Sequence, residues 1–135
     1  MGDHNETGRI GEEMAVRHLE SKGYIILDRN YRFGPNEIDI VALEKEELVF
    51  IEVKTRRIHT LDANDVYPEH AVTRQKQQSC FKVADAYIYE RRMLTVPVRF
   101  DVIAIRFYNS GESEIAHYQD AFRDDTTLQS DIDIL

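Results

Sequence analysis

The sequence predicts a mixed α/β fold, with a central mixed sheet flanked by helices. Three observations point to it. Helical and strand-like periods follow one another in the order α-β-β-β-α-β-β. The run Leu48-Val49-Phe50-Ile51 is apolar on both faces, as a covered central strand must be. The first helical stretch carries an apolar arc that needs something to cover.

Taken in order, residues 1–6 are a polar start, and a helix is expected over about 7–22, with Thr7 as a candidate N-cap and Gly23 as its stop. Strands follow near 24–31, 37–43 and 48–55, with the hairpin-sized polar link Glu44-Lys45-Glu46-Glu47 between the last two. Residues 56–69, with Asp62, Asn64, Asp65 and Pro68, read as a polar loop. A second helix is expected over about 71–93, closed by Pro97, then a strand at 98–107. Asn109-Ser110-Gly111 turns the chain into a last strand near 114–118. This is one domain over residues 1–118, followed by an acidic tail over 119–135 that reads as disordered.

Charge is out of place in one pair of segments. Asn36-Glu37-Ile38-Asp39-Ile40 and Phe50-Ile51-Glu52-Val53-Lys54 set acids and a lysine among strand-forming apolar residues. Side chains alternate, so Glu52 and Lys54 share a face, about 6–7 Å apart. Ile38, Ile40 and Ala42 are expected on one face, with Glu37, Asp39, Val41 and Leu43 on the other. If residue 43 pairs with 48, Asp39 falls opposite Glu52 and Glu37 opposite Lys54, with Cβ atoms about 4.5–5.5 Å apart. Two carboxylates that close repel unless a cation lies between them, and Mg²⁺, held by carboxylates and water, satisfies both. A surface hairpin with a cross-strand ion pair, Glu37 or Glu52 to Lys54, is the alternative.

On the first helix, Ile10, Met14, Ala15 and Leu19 span an arc of about 180°, and Glu12 lies about 20° from Leu19, facing inward. Either Glu12 is a further carboxylate of the site, or it is an acid favoured by the helix N-terminal dipole.

The net charge of −8 at pH 7 argues against a strong non-specific DNA binder. Half of it is in the tail, where five aspartates face one arginine. Lys54, Arg56 and Arg57, then Arg74, Lys76 and Lys82, can form a local basic rim. The single cysteine, Cys80, excludes a disulfide framework and reads as a buried, inert thiol. The five histidines lack zinc-ligand spacing. Phe81, Tyr87 and Tyr89 fit packing of the second helix, and the Arg99/Asp101 pair reads as structural. No apolar run reaches the roughly 18 residues of a membrane span, and no leader is evident, so a cytoplasmic protein without membrane contact is expected.

Gly8-Arg9-Ile10-Gly11-Glu12-Glu13-Met14-Ala15, Gly23-Tyr24, Arg29-Asn30-Tyr31-Arg32, Glu37-Ile38-Asp39-Ile40, Val49-Phe50-Ile51-Glu52-Val53-Lys54-Thr55-Arg56, then Lys76, Ala84, Tyr87 and Arg99-Phe100-Asp101-Val102 together resemble the YraN-type uncharacterised bacterial family. That family resembles the PD-(D/E)XK restriction-endonuclease-like nucleases and is close to archaeal Holliday-junction resolvases. The resemblance covers about residues 8–107 and implies an αβββαβ core. It implies that Asp39 and Glu52 are metal ligands for Mg²⁺ or Mn²⁺, that Lys54 is the motif lysine, and that Glu12 is the first-helix glutamate completing a resolvase-type site. It implies phosphate contacts from Lys76 and, more weakly, Gln75; Arg56 and Arg57 join them as strand-positioning residues. The family usually has Gly where this chain has Asn36, and Asn tolerates left-handed backbone better than most residues. The activity implied is metal-dependent hydrolysis of DNA phosphodiesters, with branched or damaged DNA as the candidate substrate, by a homodimer on the analogy of the resolvases. The alternative is a nuclease-fold module that binds nucleic acid or a protein without cutting.

Overall fold

The computed structural model describes residues 2–58 and 72–124, with side chains from residue 6 onward. Its elements are helix α1 (Gly2–Ser21), strands β1 (Ile25–Phe33), β2 (Asn36–Glu44) and β3 (Glu47–Ile58), helix α2 (Arg74–Arg91), and strands β4 (Val98–Tyr108) and β5 (Ser113–Tyr118). The strands form one sheet in the order β1-β2-β3-β4-β5. All neighbours are antiparallel except β3 and β4, which run parallel because the chain between them crosses over through α2. This is the expected α/β architecture, consistent with a restriction-endonuclease-like core. The polar segment from residue 59, the tail from 125, and the side chains of His4, His59 and His70 lie outside the described residues.

Each helix covers one face of the sheet. Val49 and Ile51 of β3 join Ala15, Val16 and Leu19 beneath α1, while Leu48 and Phe50 join Phe81, Val83, Ala84 and Tyr87 beneath α2. The strict alternation read in this strand is therefore present, and both of its faces are core. Cys80 is buried under α2, and burial pushes its thiol up to about 12. Among described residues, no helix is long and apolar enough to cross a membrane.

Four details depart from expectation. Helix α1 begins at Gly2, so Thr7 is inside it; buried, its Oγ1 accepts from Arg57 Nε at 2.9 Å. The covered stripe of α1 runs through Thr7, Gly11, Ala15 and Leu19, which leaves Ile10 37% exposed. Helix α2 starts at Arg74, capped by the Thr73 side chain on Lys76 N–H, and its Tyr89 is 77% exposed instead of packed. Residues 119–124 dock on the sheet: Ala121 N–H donates to Phe100 O at 2.8 Å, and Phe122 stacks on Phe100.

The Arg99/Asp101 pair is the centre of a buried polar network. Arg99 Nε lies 2.9 Å from Asp101 Oδ1, and its Nη2 lies 3.0 Å from Oδ2, a bidentate fork. The same guanidinium holds Glu44 at 2.9 Å, Glu47 at 3.2 Å and the Tyr24 hydroxyl at 2.7 Å. His117 Nε2 and the Asp120 N–H complete the Asp101 shell at 2.8 and 2.9 Å. Burial alone would raise the Asp101 pKa, but the bonds from His117, Arg99 and Asp120 outweigh it and hold the carboxyl below its ordinary value. A depressed acid stabilises the fold above the unfolded-state pKa, and that contribution is lost as pH falls through the folded one. Stability should therefore drop as pH is lowered below about 4. Asp101→Asn should flatten that acid limb and cost roughly 3–5 kcal/mol at pH 7, measured by urea unfolding.

Candidate functional site

The β2–β3 hairpin has the expected register. Leu43 pairs with Leu48 and Ile40 with Ile51. There the paired ladder ends, one step short of Asp39 and Glu52. In place of the next ladder bond, Asp39 Oδ2 accepts the Val53 N–H at 2.8 Å. A side-chain carboxylate thus satisfies a β3 donor that would otherwise be orphaned. Because the ladder stops, Glu37 does not pair with Lys54. Its carboxylate meets Arg32 at 2.9 Å, and its carbonyl faces Lys76 Nζ at 3.5 Å.

The opposite edge of β2 explains how Asp39 turns. The β1–β2 register passes from Arg29↔Ile40 to Tyr31↔Ile38 without pairing Asn30 and Asp39. Asn30 has a left-handed backbone, φ 53°. Across this step Ile40 packs under α1 and Ile38 under α2, so the single-face alternation expected for Ile38 and Ile40 is broken. Asn36 is an ordinary strand residue paired with Phe33, and Gly34, φ 61°, carries the turn instead.

Glu52 lies on the α2 face of β3 and is only 6% exposed. Its Oε2 lies 3.6 Å from Lys76 Nζ, while Oε1 is buried with no hydrogen-bond partner among the described residues. Burial, then the negative charge of Asp39, raises its pKa to about 7, with Lys76 and Lys54 opposing. Asp39 is also raised, chiefly by burial; the Val53 N–H opposes this and the charge of Glu12 adds to it. Lys54 is half-buried, two residues beyond Glu52 on the same strand.

Helix α1 closes the other side. Asp39, Glu12, Asn30, Glu37, Val53, Thr55 and Gly8 line an open cleft of about 300 Å³. Glu12 is mid-helix in α1, which removes the N-terminal dipole as its explanation. Its Oε1 accepts from Arg29 Nε and Nη2 at 3.2 and 3.1 Å and from Asn30 Nδ2 at 3.0 Å. The seat of the helix is set by Gly11, where a Cβ would be 2.2 Å from Thr55 Oγ1 and 3.1 Å from Thr55 Cβ. Rotating Thr55 cannot relieve both contacts.

The structure therefore brings Asp39, Glu52, Lys76 and Glu12 to one end of the hairpin, with Lys54 next along β3. Arg57 is on the other side of β3, bonded to Thr7, and Gln75 is exposed on the first turn of α2. Among the described residues, no three His, Cys, Asp or Glu side chains converge as a ready-made metal cage. A buried, orphaned Glu52 oxygen within reach of the Asp39 charge is nonetheless the donor chemistry a hard cation takes. Arg29 and Asn30 escaped the sequence reading as site residues; the signal was a polar pair inside a strand otherwise expected to alternate.

Comparison with known proteins places these residues inside the matched region. Residues 11–105 match the uncharacterised protein family UPF0102. A UPF0102 protein of Bacteroides thetaiotaomicron is 46% identical over 122 residues, covering 90% of this chain and 96% of that protein. One from Syntrophotalea carbinolica is 44% identical over 115 residues, covering 85% and 89%. One from Chlorobaculum tepidum is 43% identical over 112 residues, covering 83% and 84%.

Two outcomes are expected. A raised folded-state pKa means that the stability from Glu52 is full below its unfolded pKa and is lost as pH climbs toward about 7. In metal-free buffer at pH 8, Glu52→Gln should thus be more stable than the wild type by on the order of 1–3 kcal/mol, with the difference vanishing near pH 4 in thermal melts. Gly11→Ala should cost about 1–3 kcal/mol by overpacking, and Thr55→Ala should recover part of it in a double-mutant cycle.

Proposed function

The chain belongs to the uncharacterised protein family UPF0102, and we propose that it is a metal-dependent nuclease that hydrolyses DNA phosphodiester bonds in the cytoplasm, with branched or damaged DNA as its substrate. The observation that carries this reading is a buried Glu52 that feels the charge of the half-buried Asp39, with one Glu52 oxygen unpartnered among the described residues. Carboxylates are not buried next to each other for stability, because each raises the cost of ionising the other. Asp39 and Glu52 would hold one or two Mg²⁺ or Mn²⁺ ions, with Glu12 as a further ligand, direct or through water. Mg²⁺ needs only one or two carboxylates when water and phosphate fill its other positions, so a three-residue cage is not required. Once bound, the ion supplies Lewis-acid polarisation of the phosphoryl oxygen and a more acidic water.

The chain's own groups do the rest. Lys54 orients the attacking water or steadies negative charge developing on the phosphate. Lys76, whose ammonium is 3.6 Å from Glu52, would turn from that carboxylate to a backbone phosphate. Arg56 and Arg57, with Gln75 in a lesser part, hold the strand by phosphate contacts that carry no base information. Assembly as a homodimer would give two such sites.

A second reading is a module that binds nucleic acid or a protein partner without cutting. The net charge of −8 and the absence of a three-ligand cage among the described residues favour it. Cleavage of linear, flapped and four-way-junction DNA with Mg²⁺ or Mn²⁺ separates the two. The nuclease reading expects one of these substrates to be cut, with losses of about 10²-fold or more in Asp39→Ala, Glu52→Ala and Lys54→Ala. If none is cut and Asp39→Ala leaves DNA binding intact, the binding module stands instead.

A further inference from the structure

The Arg29-Asn30 pair is a conspicuous polar feature that the proposed chemistry leaves unused. Non-glycine residues with positive φ among the described ones are Asn30, Lys45, Arg92 and Asp120. Lys45 turns the β2–β3 hairpin, Arg92 caps α2, and Asp120 follows the end of β5. Asn30 alone of the four lies inside a strand, where a left-handed residue serves no chain reversal. Strain of that kind persists where something else fixes it, and it clusters at functional sites.

The left-handed step does two things. It drops Asn30 and Asp39 out of the ladder together, which frees Asp39 to reach Val53 N–H at 2.8 Å. It also delivers the Asn30 amide to Glu12, where it joins two N–H groups of Arg29 on the same oxygen. Every hydrogen bond that Glu12 makes among the described residues falls on Oε1, so Oε2 is left for the cleft it lines. An ordinary surface ion pair would need only the half-exposed Glu13, which Arg29 also holds, at 2.8 Å.

We infer that Asn30, assisted by Arg29, is a positioning residue that clamps one oxygen of Glu12 and presents the other to a divalent cation at Asp39. The inference rests on the nuclease reading for its cation. It assigns to a strand residue the orienting role that partners of metal-ligating carboxylates have in general.

The discriminating variant is Asn30→Gly, because glycine keeps the left-handed backbone and deletes the amide alone. Mn²⁺ binding to the full chain, without DNA, is measured by calorimetric titration, with a thermal melt confirming the fold. Asn30→Gly is expected to weaken Mn²⁺ binding about tenfold, as is Glu12→Gln. The double variant should be no weaker than Glu12→Gln to within about twofold, because Asn30 acts only through Glu12. If Asn30→Gly does not fold, Arg29→Gln takes its place in the same cycle with the same expectation. The inference is overturned if wild type binds Mn²⁺ in a manner that Asp39→Ala abolishes while the clamp variant binds equally well. It is also overturned if the two losses multiply. Should wild type show no Mn²⁺ binding that depends on Asp39, the metal-dependent reading falls together with the clamp.

Discussion

One hydrogen bond, from Val53 N–H to the Asp39 carboxylate, decides where the sheet ends and the site begins. Up to Ile40↔Ile51 the β2–β3 hairpin is a regular antiparallel ladder. One step further, a carboxylate occupies the acceptor position that a backbone carbonyl would fill. β3 remains satisfied, so it continues in register beside β4 through Ile58 while β2 leaves it. The cleft exists because the two strands part there without stranding a buried donor. Asp39 is thus structural and chemical at once: one oxygen closes the sheet, and its charge acts on Glu52.

The opposite end of the same hairpin is pinned by Arg99. Glu44 and Glu47 flank the turn, and the guanidinium holds both while forking onto Asp101. A one-residue slip would carry both glutamates out of reach and turn every core side chain of β2 to the other face. The network therefore fixes the register from which the Asp39 position follows. It also gathers Tyr24, His117 and the Asp120 N–H, tying the start of β1 and the end of β5 to β4. A buried network of this kind, in which Asp101 and Arg99 are bonded on every side, makes for a unique arrangement more than for net stability.

What was legible in the sequence follows from the range of the interactions. The hairpin register could be read because period-two alternation and a short link fix it locally. The inward phase of Glu12 could be read from the helical period. The seat of α1 could not, because it depends on Gly11 meeting Thr55, a contact between distant segments at a residue without a side chain. Hence Ile10, apolar and in phase, was expected inside and is exposed, while glycine takes the close approach. The Arg99–Asp101 pair was visible as a local oddity, but its partners Tyr24 and Glu44 are far off in sequence. The pairing of Glu37 with Lys54 failed because alternation assumes a continuous ladder. A single left-handed residue, Asn30, ends that continuity for Asp39.

The energetics of the two ends of the hairpin differ in sign. At the Arg99 end every charge is compensated, and Asp101 is held ionised below its ordinary range. At the Glu52 end burial outweighs the nearby lysines, and the acid is pushed up to about 7. A sheet selected for stability alone would carry an aliphatic residue at position 52, in line with Leu48 and Phe50, and would lose nothing in packing. Keeping a carboxylate there costs folding free energy. Lys76 offsets part of that cost through Oε2 but leaves Oε1 unanswered. The unfavourable end is tolerable because the compensated end holds the register. The same sheet can therefore be locally destabilised at Asp39 and Glu52 and still keep their spacing fixed.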